Sequence, residues 1–416
     1  MARATTTIHS AEAGVSPTAP PLLVAAFGLA LGPAIGLGLG RFAFALLLPS
    51  MRADLGWTYA QAGGVNTANA FGYLLGALLA APLGARWGSK PTYVGGLAVT
   101  TLALLACAAT DSFALLLALR FLTGAAGAVS FVVGGGLAAR AGQARRPGQA
   151  GLLLGLYFGG GGLGIVVSGL AVPPVLSAGG PHAWRLGWLV LGLTAVLALA
   201  ASVAVLRRLT ESPVRASGGP PLRSFLHLAP TFATYTLFGM GYIAYMTFIV
   251  AFLRGQGRSA GTLALFWVAL GVAATVCPFL WGRVLSRLRA GWGPAITLAA
   301  VSVGAALPLV ANGAAIAFAS AIVFGGSFLA VVAAVMEIPR RTLPSGALTA
   351  SIGALTVAFS AGQCLGPVLA GVLSDGPSGI RAGLSFSVAV LLIAALVALG
   401  QRERTVTTTT TPAIDR

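Results

Sequence analysis

The chain has 416 residues, of which 57% are hydrophobic and 8% charged, and its formal net charge is +17. A water-soluble protein carries roughly 25% charged residues, so this sequence lacks the polar surface a soluble fold needs and reads as a membrane protein that crosses the bilayer many times. The positive charge does not point to nucleic acid, because the basic residues gather in short loops between apolar runs and no basic helix with interleaved aromatics is present.

Residues 1–20 are small and polar. They lack the charged leader and short apolar core of a signal peptide and read as an uncleaved cytoplasmic tail. Apolar runs long enough to cross ~30 Å of hydrocarbon as helices follow near 21–49, 60–84, 91–110, 113–139, 150–172 and 184–206. The stretch 207–225, rich in Pro, Gly, Ser and Arg, reads as a cytoplasmic linker. Six more runs lie near 227–253, 260–285, 292–310, 313–338, 346–374 and 381–400, and 401–416 is a threonine-rich tail that reads as disordered. The expected organisation is therefore an all-α membrane protein with bundles over 21–206 and 226–400. Cys107, Cys277 and Cys364 all fall inside apolar runs, without metal-ligand spacing or a disulfide framework.

Charge placement sets the orientation. With both termini in the cytoplasm, eighteen Lys and Arg lie on the cytoplasmic side and five on the other, while Arg41 and Arg120 fall inside spans. That bias follows the positive-inside rule. The two halves also repeat. "GLGRFAFA" at Gly38–Ala45 matches "GMGYIAYM" at Gly239–Met246, which sets Arg41 opposite Tyr242. "LGIVVSGL" from Leu163 matches "LGPVLAGV" from Leu365, and Gly124 aligns with Gly325. Parallel repeats of this kind place a substrate site between the halves near mid-membrane.

Two six-span halves with a basic central loop resemble the major facilitator superfamily. After span 2, "GARWGSKP" is similar to its loop motif. Arg86, Gly88 and Lys90 match, and Ala85 stands where an acidic residue is usual, which weakens the charge-pair latch expected there. "RFLTGAAGA" resembles the span-4 motif and implies Arg120 as its arginine, with Gly124 four residues on. The glycine-rich span 5, "YFGGGGLGIVVSG", resembles an exporter motif that contains Gly164 but lacks the usual Gly-Pro pair, which appears in span 11 as Gly366–Pro367. "GLGRFAFALLLPSMRADLGWTYAQAG" and "YTLFGMGYIAYMTF" are similar to the bacterial YbfB/YjiJ-type branch. The resemblance covers about residues 21–400. It implies the superfamily fold, two pseudo-symmetric six-helix bundles in a bacterial inner membrane, and a monomer. It assigns Arg86, Gly88, Lys90, Gly124, Gly164, Gly366 and Pro367 to conformational change, and it implies no established substrate.

Arg41 lies eight residues before Pro49, ~12 Å from the outer boundary at 1.5 Å per residue, and Arg120 lies at a similar depth in span 4. Asn66 and Asn69 share a face of span 2 at i,i+3 spacing. An arginine at mid-helix costs ~2.5–3.5 kcal/mol on insertion scales, so such a charge is expected to be functional or paired. None of the eight acidic residues falls in mid-membrane, and Glu337 reads as a local partner of the arginines that follow it. The interior therefore favours an anion that arginine can grip through two parallel hydrogen bonds. Tyr242 and Tyr245 on span 7, Tyr157 on span 5 and Gln363 on span 11 complete the candidate substrate-binding set, each weighed against plain helix packing. A proton co-transported through a buried carboxylate is not expected, and His227 is a weak candidate carrier.

The expected function is a secondary transporter that moves a small organic anion by alternating access. The alternative is an exporter of hydrophobic or drug-like compounds. No cofactor or metal is implied. "GGGG" at 159–162 is not followed by Lys and Ser/Thr, and no catalytic motif occurs.

Overall fold

The structure is a computed structural model that describes residues 20–143, 149–209, 227–343 and 345–402. The tail 1–19, most of the linker 207–225 and the tail from 403 lie outside the described residues. Among the described residues, twelve helices are long and apolar enough to span a membrane. They are α1 (Leu22–Leu55), α2 (Tyr59–Trp87), α3 (Ser89–Cys107), α4 (Phe113–Gln143), α5 (Gln149–Ala178), α6 (Ala183–Leu206), α7 (Ala229–Gly255), α8 (Ala260–Arg287), α9 (Trp292–Val310), α10 (Ala314–Thr342), α11 (Ser345–Ser374) and α12 (Ile380–Leu399). Large apolar side chains such as Leu197, Val310 and Leu396 point outward, as a lipid-facing surface requires.

Local chemistry sets the turns. Gly56 in the left-handed region (φ +66°) closes α1. Thr58 then caps α2, its side chain accepting from Gln61 N while the Gln61 side chain accepts from Thr58 N. Such a reciprocal box satisfies two amides that a helix start leaves free. Gly88 (φ +87°) makes the α2–α3 turn.

The first span differs from its expected form. It ends at Leu55 rather than near residue 49, and Ala34–Phe42 is π-helical. Pro33 has no N–H to give, and Gly36, Gly38 and Gly40 hold a helix weakly, so the ladder relaxes to i→i+5 spacing through this stretch. Ala43 N donates to Gly38 O at 3.0 Å. Arg41 lies in this widened segment.

The helices form two six-helix bundles, α1–α6 and α7–α12. The halves meet along α2–α11 and α5–α8, with a smaller contact between α1 and α7. Glycine sets the spacing within each half. A Cβ at Gly124 (α4) would strike Asn69 of α2, and one at Gly325 (α10) would strike Leu270 of α8. Gly164 (α5) lies against Ala34 and Gly38 of α1, while Gly366 (α11) lies against Met240 of α7. The same pairwise contacts recur in both halves, as a duplicated unit requires.

Candidate functional site

One polar group lies where the halves meet. Arg41 is 3% exposed, and neither its Nε nor its Nη2 has a hydrogen-bond partner. Its guanidinium sits over the Tyr73 ring, 5.2 Å from the centroid. Phe42, the next residue, meets Phe328 of the second half with ring centroids 6.1 Å apart.

The described acidic residues are all engaged elsewhere. Asp54 accepts from Trp184 Nε1 at 2.6 Å and pairs with His182. Asp111 holds Arg185 at 3.1 Å. Glu337 pairs with Arg341 at 2.9 Å and lies 3.9 Å from Arg340. Asp375 caps α2 by accepting from Tyr59 N at 2.7 Å and Ala60 N at 2.9 Å. Among the described residues, no carboxylate neutralises Arg41 or Arg120.

Arg120 is fully buried, and its recorded neighbours belong to the first half. Its Nη1 donates to Gly40 O. Its guanidinium lies 5.2 Å from the Phe44 ring and 5.3 Å from the Trp188 ring, while its Nε and Nη2 have no partner. Asn69 Nδ2 donates to Arg120 O at 3.1 Å. Asn66 turns the other way and donates across the halves to Thr247 Oγ1 at 2.6 Å. The Oδ1 atoms of both asparagines are buried without a donor. On α11, Gln363 Nε2 donates to Tyr242 Oη at 2.5 Å, and Gln363 Oε1 is unpaired.

Thus Arg120 and Asn69 tie α4 to α1 and α2 within the first half, Asn66 ties α2 to α7, and Gln363 ties α11 to α7, while Arg41 makes no hydrogen bond to any of them. Tyr157 and Tyr245 are engaged within their own halves. Tyr157 Oη donates to Phe131 O at 2.7 Å, and Tyr245 Oη pairs with Ser320 Oγ at 2.6 Å while its ring stacks on Phe324. Sequence reading passed over Tyr73 and Thr247. Tyr73 follows Asn66 and Asn69 at i+7 and i+4, so helical spacing already places it on their face. Thr247 has no comparable signal.

Of the residues assigned to conformational change, Gly88 makes its turn as described and Lys90 Nζ donates to Leu209 O. Arg86 is exposed. Beside them, Arg140 Nη2 donates to Ser89 Oγ at 3.0 Å. Gly63 of α2 faces the carbonyl of Pro367, so Pro367 lies at the close approach of α2 and α11.

Among the described residues, side-chain bonds between the halves run from the end that carries the α1–α2 turn to mid-span. They comprise the Asp375 cap, Asn66 to Thr247, Thr67 Oγ1 to Cys364 O (2.8 Å), Trp267 Nε1 to Ser168 Oγ (3.1 Å) and Thr275 Oγ1 to Gly159 O (3.4 Å). At that same end a cavity of about 200 Å³ opens between α1, α5, α7 and α8, lined in part by Pro49, Pro173, Val250, Arg254 and Arg258.

Two like bundles side by side in a membrane, with buried polar groups at their junction, have the architecture of the major facilitator transporters, a class of transporters and not of enzymes. The chain belongs to the family described as "Uncharacterised MFS-type transporter YbfB", whose profile matches residues 33–399. It is 29% identical over 415 residues to a chloramphenicol resistance protein of Streptomyces lividans, covering 91% of this chain and 95% of that one. Its fold matches a crystal structure of the nucleoside transporter NupG, with a TM-score of 0.71 and 14% identity over 90% of this chain and 98% of that one. It also matches a bacterial homolog to the human lysosomal transporter Spinster, in an inward-facing and unoccupied conformation. There the TM-score is 0.68, with 17% identity over 92% of this chain and 97% of that one.

Proposed function

We propose that this transporter moves a small organic anion by alternating access, with Arg41 as the counter-charge of the substrate. The observation that carries this reading is the buried guanidinium of Arg41 at the junction of the halves, without a carboxylate or carbonyl partner. A permanently charged group in that position is costly unless a ligand pairs with it. Arg120 holds the α1 backbone beside it, and Asn66, Asn69, Tyr242 and Gln363 offer neutral donors and acceptors. Tyr157 and Tyr245 act as packing residues of their own bundles.

The charge count supports cytoplasmic termini, with the α1–α2 turn outside, and the resemblance to the bacterial branch supports an inner-membrane location. Among the described residues, bonds between the halves gather towards that outer end, which supports a conformation closed to the outside. Arg254 and Arg258 at the outer cavity, with no acidic residue among its lining, would draw in the same sign of charge. Any proton would travel on the substrate rather than on a buried carboxylate. The protein works as a monomer.

A second reading has its own support. The Streptomyces relative bears the name of a chloramphenicol resistance protein, which favours export of neutral drug-like compounds. A thermal-shift screen of the purified protein with anionic, neutral and cationic solutes at matched ionic strength separates the two. A ligand at 100 times its Kd adds about 2.7 kcal/mol of apparent stability. Stabilisation by an anion that disappears in Arg41→Ala supports the first reading. Stabilisation by neutral or cationic amphiphiles alone, unaffected by Arg41→Ala, overturns it in favour of the second.

A further inference from the structure

Beside Phe42, the neighbour of Arg41, the second half carries a slab of aromatic rings. Tyr235, Phe238 and Tyr242 of α7, Phe324 and Phe328 of α10, and Phe359 of α11 all join it. Tyr242 lies nearly parallel to Phe359 (interplanar angle 9°, centroids 5.6 Å apart), to Phe328 (13°, 6.0 Å) and to Phe238 (23°, 4.9 Å). Tyr235 lies parallel to Phe359 (16°, 4.5 Å), and Phe324 to Phe328 (20°, 5.7 Å). Aromatic pairs settle readily into edge-to-face as well as offset-stacked contacts, yet every one of these is stacked. The slab therefore presents one ring orientation to whatever enters beside it. Phe42, the neighbour of Arg41 in sequence, meets Phe328 edge-on at 89°.

The polar groups at the edge of the slab fit one end of such a ligand. Tyr242 Oη already accepts from Gln363 Nε2. Its own hydroxyl proton has no recorded acceptor and remains available to donate. Arg41 Nε and Nη2 are likewise unused donors, and Phe42, next to Arg41 in the chain, packs on Phe328, which stacks with Tyr242. One group that satisfies a guanidinium and a phenol proton together is a carboxylate, which offers two oxygens and about four lone pairs.

We infer that the substrate is a planar aromatic carboxylate, its carboxylate held by Arg41 and the Tyr242 hydroxyl and its ring continuing the stack of Tyr242, Phe328 and Phe359. The inference rests on the anion reading above and narrows it. A saturated ring of the same size keeps the charge and the volume and loses the π-face. Stacking beyond area burial makes the aromatic acid bind about tenfold more tightly.

The test is calorimetric titration of the full-length, detergent-purified protein with benzoate, cyclohexanecarboxylate and benzamide, extended to 2-naphthoate for a larger ring. The expected order is an aromatic acid about tenfold tighter than cyclohexanecarboxylate, with benzamide not binding. Arg41→Ala removes binding of both acids, and Phe359→Leu brings the two acids level while leaving the polar pair intact. Tyr242→Phe, which keeps the ring and removes the hydroxyl, weakens both acids equally. Equal affinity for benzoate and cyclohexanecarboxylate in the wild type overturns the aromatic inference and leaves the anion reading standing. Benzamide binding that matches benzoate and survives Arg41→Ala overturns both. Failure of benzoate and 2-naphthoate alike to bind, while cyclohexanecarboxylate binds, also overturns the aromatic inference. If none of the acids binds, the aromatic inference fails with them.

Discussion

Arg120 donates from Nη1 to the carbonyl of Gly40, the residue that precedes Arg41. One buried arginine thereby holds the backbone that carries the other. The two cations differ in what they bind. Arg120 has a carbonyl and two rings. Arg41 has one ring and unused donors.

That difference predicts opposite effects on stability. Arg120→Ala removes a charge-assisted hydrogen bond, worth about 1.5–3 kcal/mol, and the packing against Phe44 and Trp188. Its melting temperature in detergent should fall well below that of the wild type. Arg41→Met keeps most of the volume and deletes a buried charge that has no hydrogen bond to lose. It should melt at the wild-type temperature or above while losing transport, the pattern of a residue kept for function at a cost in stability. Parallel melts by intrinsic tryptophan fluorescence read both.

Asp375 spans the halves by capping α2. Asp375→Ala frees two amides and removes a cap worth about 0.5–2 kcal/mol, so the outer end should open more often. Cys364, half-buried where α2 meets α11, is a native reporter. With Cys107 and Cys277 replaced by Ala, a membrane-impermeant maleimide added from outside should label Cys364 several times faster in Asp375→Ala than in the parent. An unchanged rate would mean that the cap does not hold the outer end closed.

Gln363 and Tyr242 form a buried pair. Tyr242→Phe leaves the Gln363 amide without its acceptor at a cost of roughly 1–3 kcal/mol, and replacing both partners with apolar groups should recover most of it. A double-mutant cycle of Tyr242→Phe with Gln363→Met should therefore show non-additive melting shifts. Additive shifts would mean that the bond contributes little.

The glycine contacts predict a purely steric failure. A side chain at Gly124 meets the Asn69 backbone, which cannot yield as a flexible side chain could. Gly124→Val should lower the yield of folded protein in a size-exclusion profile. Gly135→Val, where the nearest neighbour is an atom of the Tyr157 ring at 3.7 Å, should not.

The twelve spans and the repeat were legible because apolar length and glycine spacing are local properties of a chain. Arg41 and Arg120 could be placed at one depth by counting residues, and Glu337 could be paired with the arginines beside it for the same reason. The π-helical stretch was not legible, because the choice between i→i+4 and i→i+5 depends on the packing of Gly36 and Gly38 against α4 and α5. Nor could counting show that Asn66 reaches Thr247 while Asn69, three residues on, stays within its half. Tyr157 and Tyr245 looked like Tyr242 in the sequence. They are set apart from it by Phe131 O and Ser320 Oγ, partners that only the tertiary fold supplies. Asp375 lies just beyond the end of α11, and its bond to a helix 315 positions away could not be foreseen from its neighbours.

The most direct test of the central claim is counterflow in proteoliposomes, with labelled anion outside and excess unlabelled anion inside, for the wild type and Arg41→Met. Counterflow in the wild type, with none in a variant that melts at or above the wild-type temperature, is the predicted result. Undiminished anion counterflow by Arg41→Met would contradict the account and make Arg41 a structural residue.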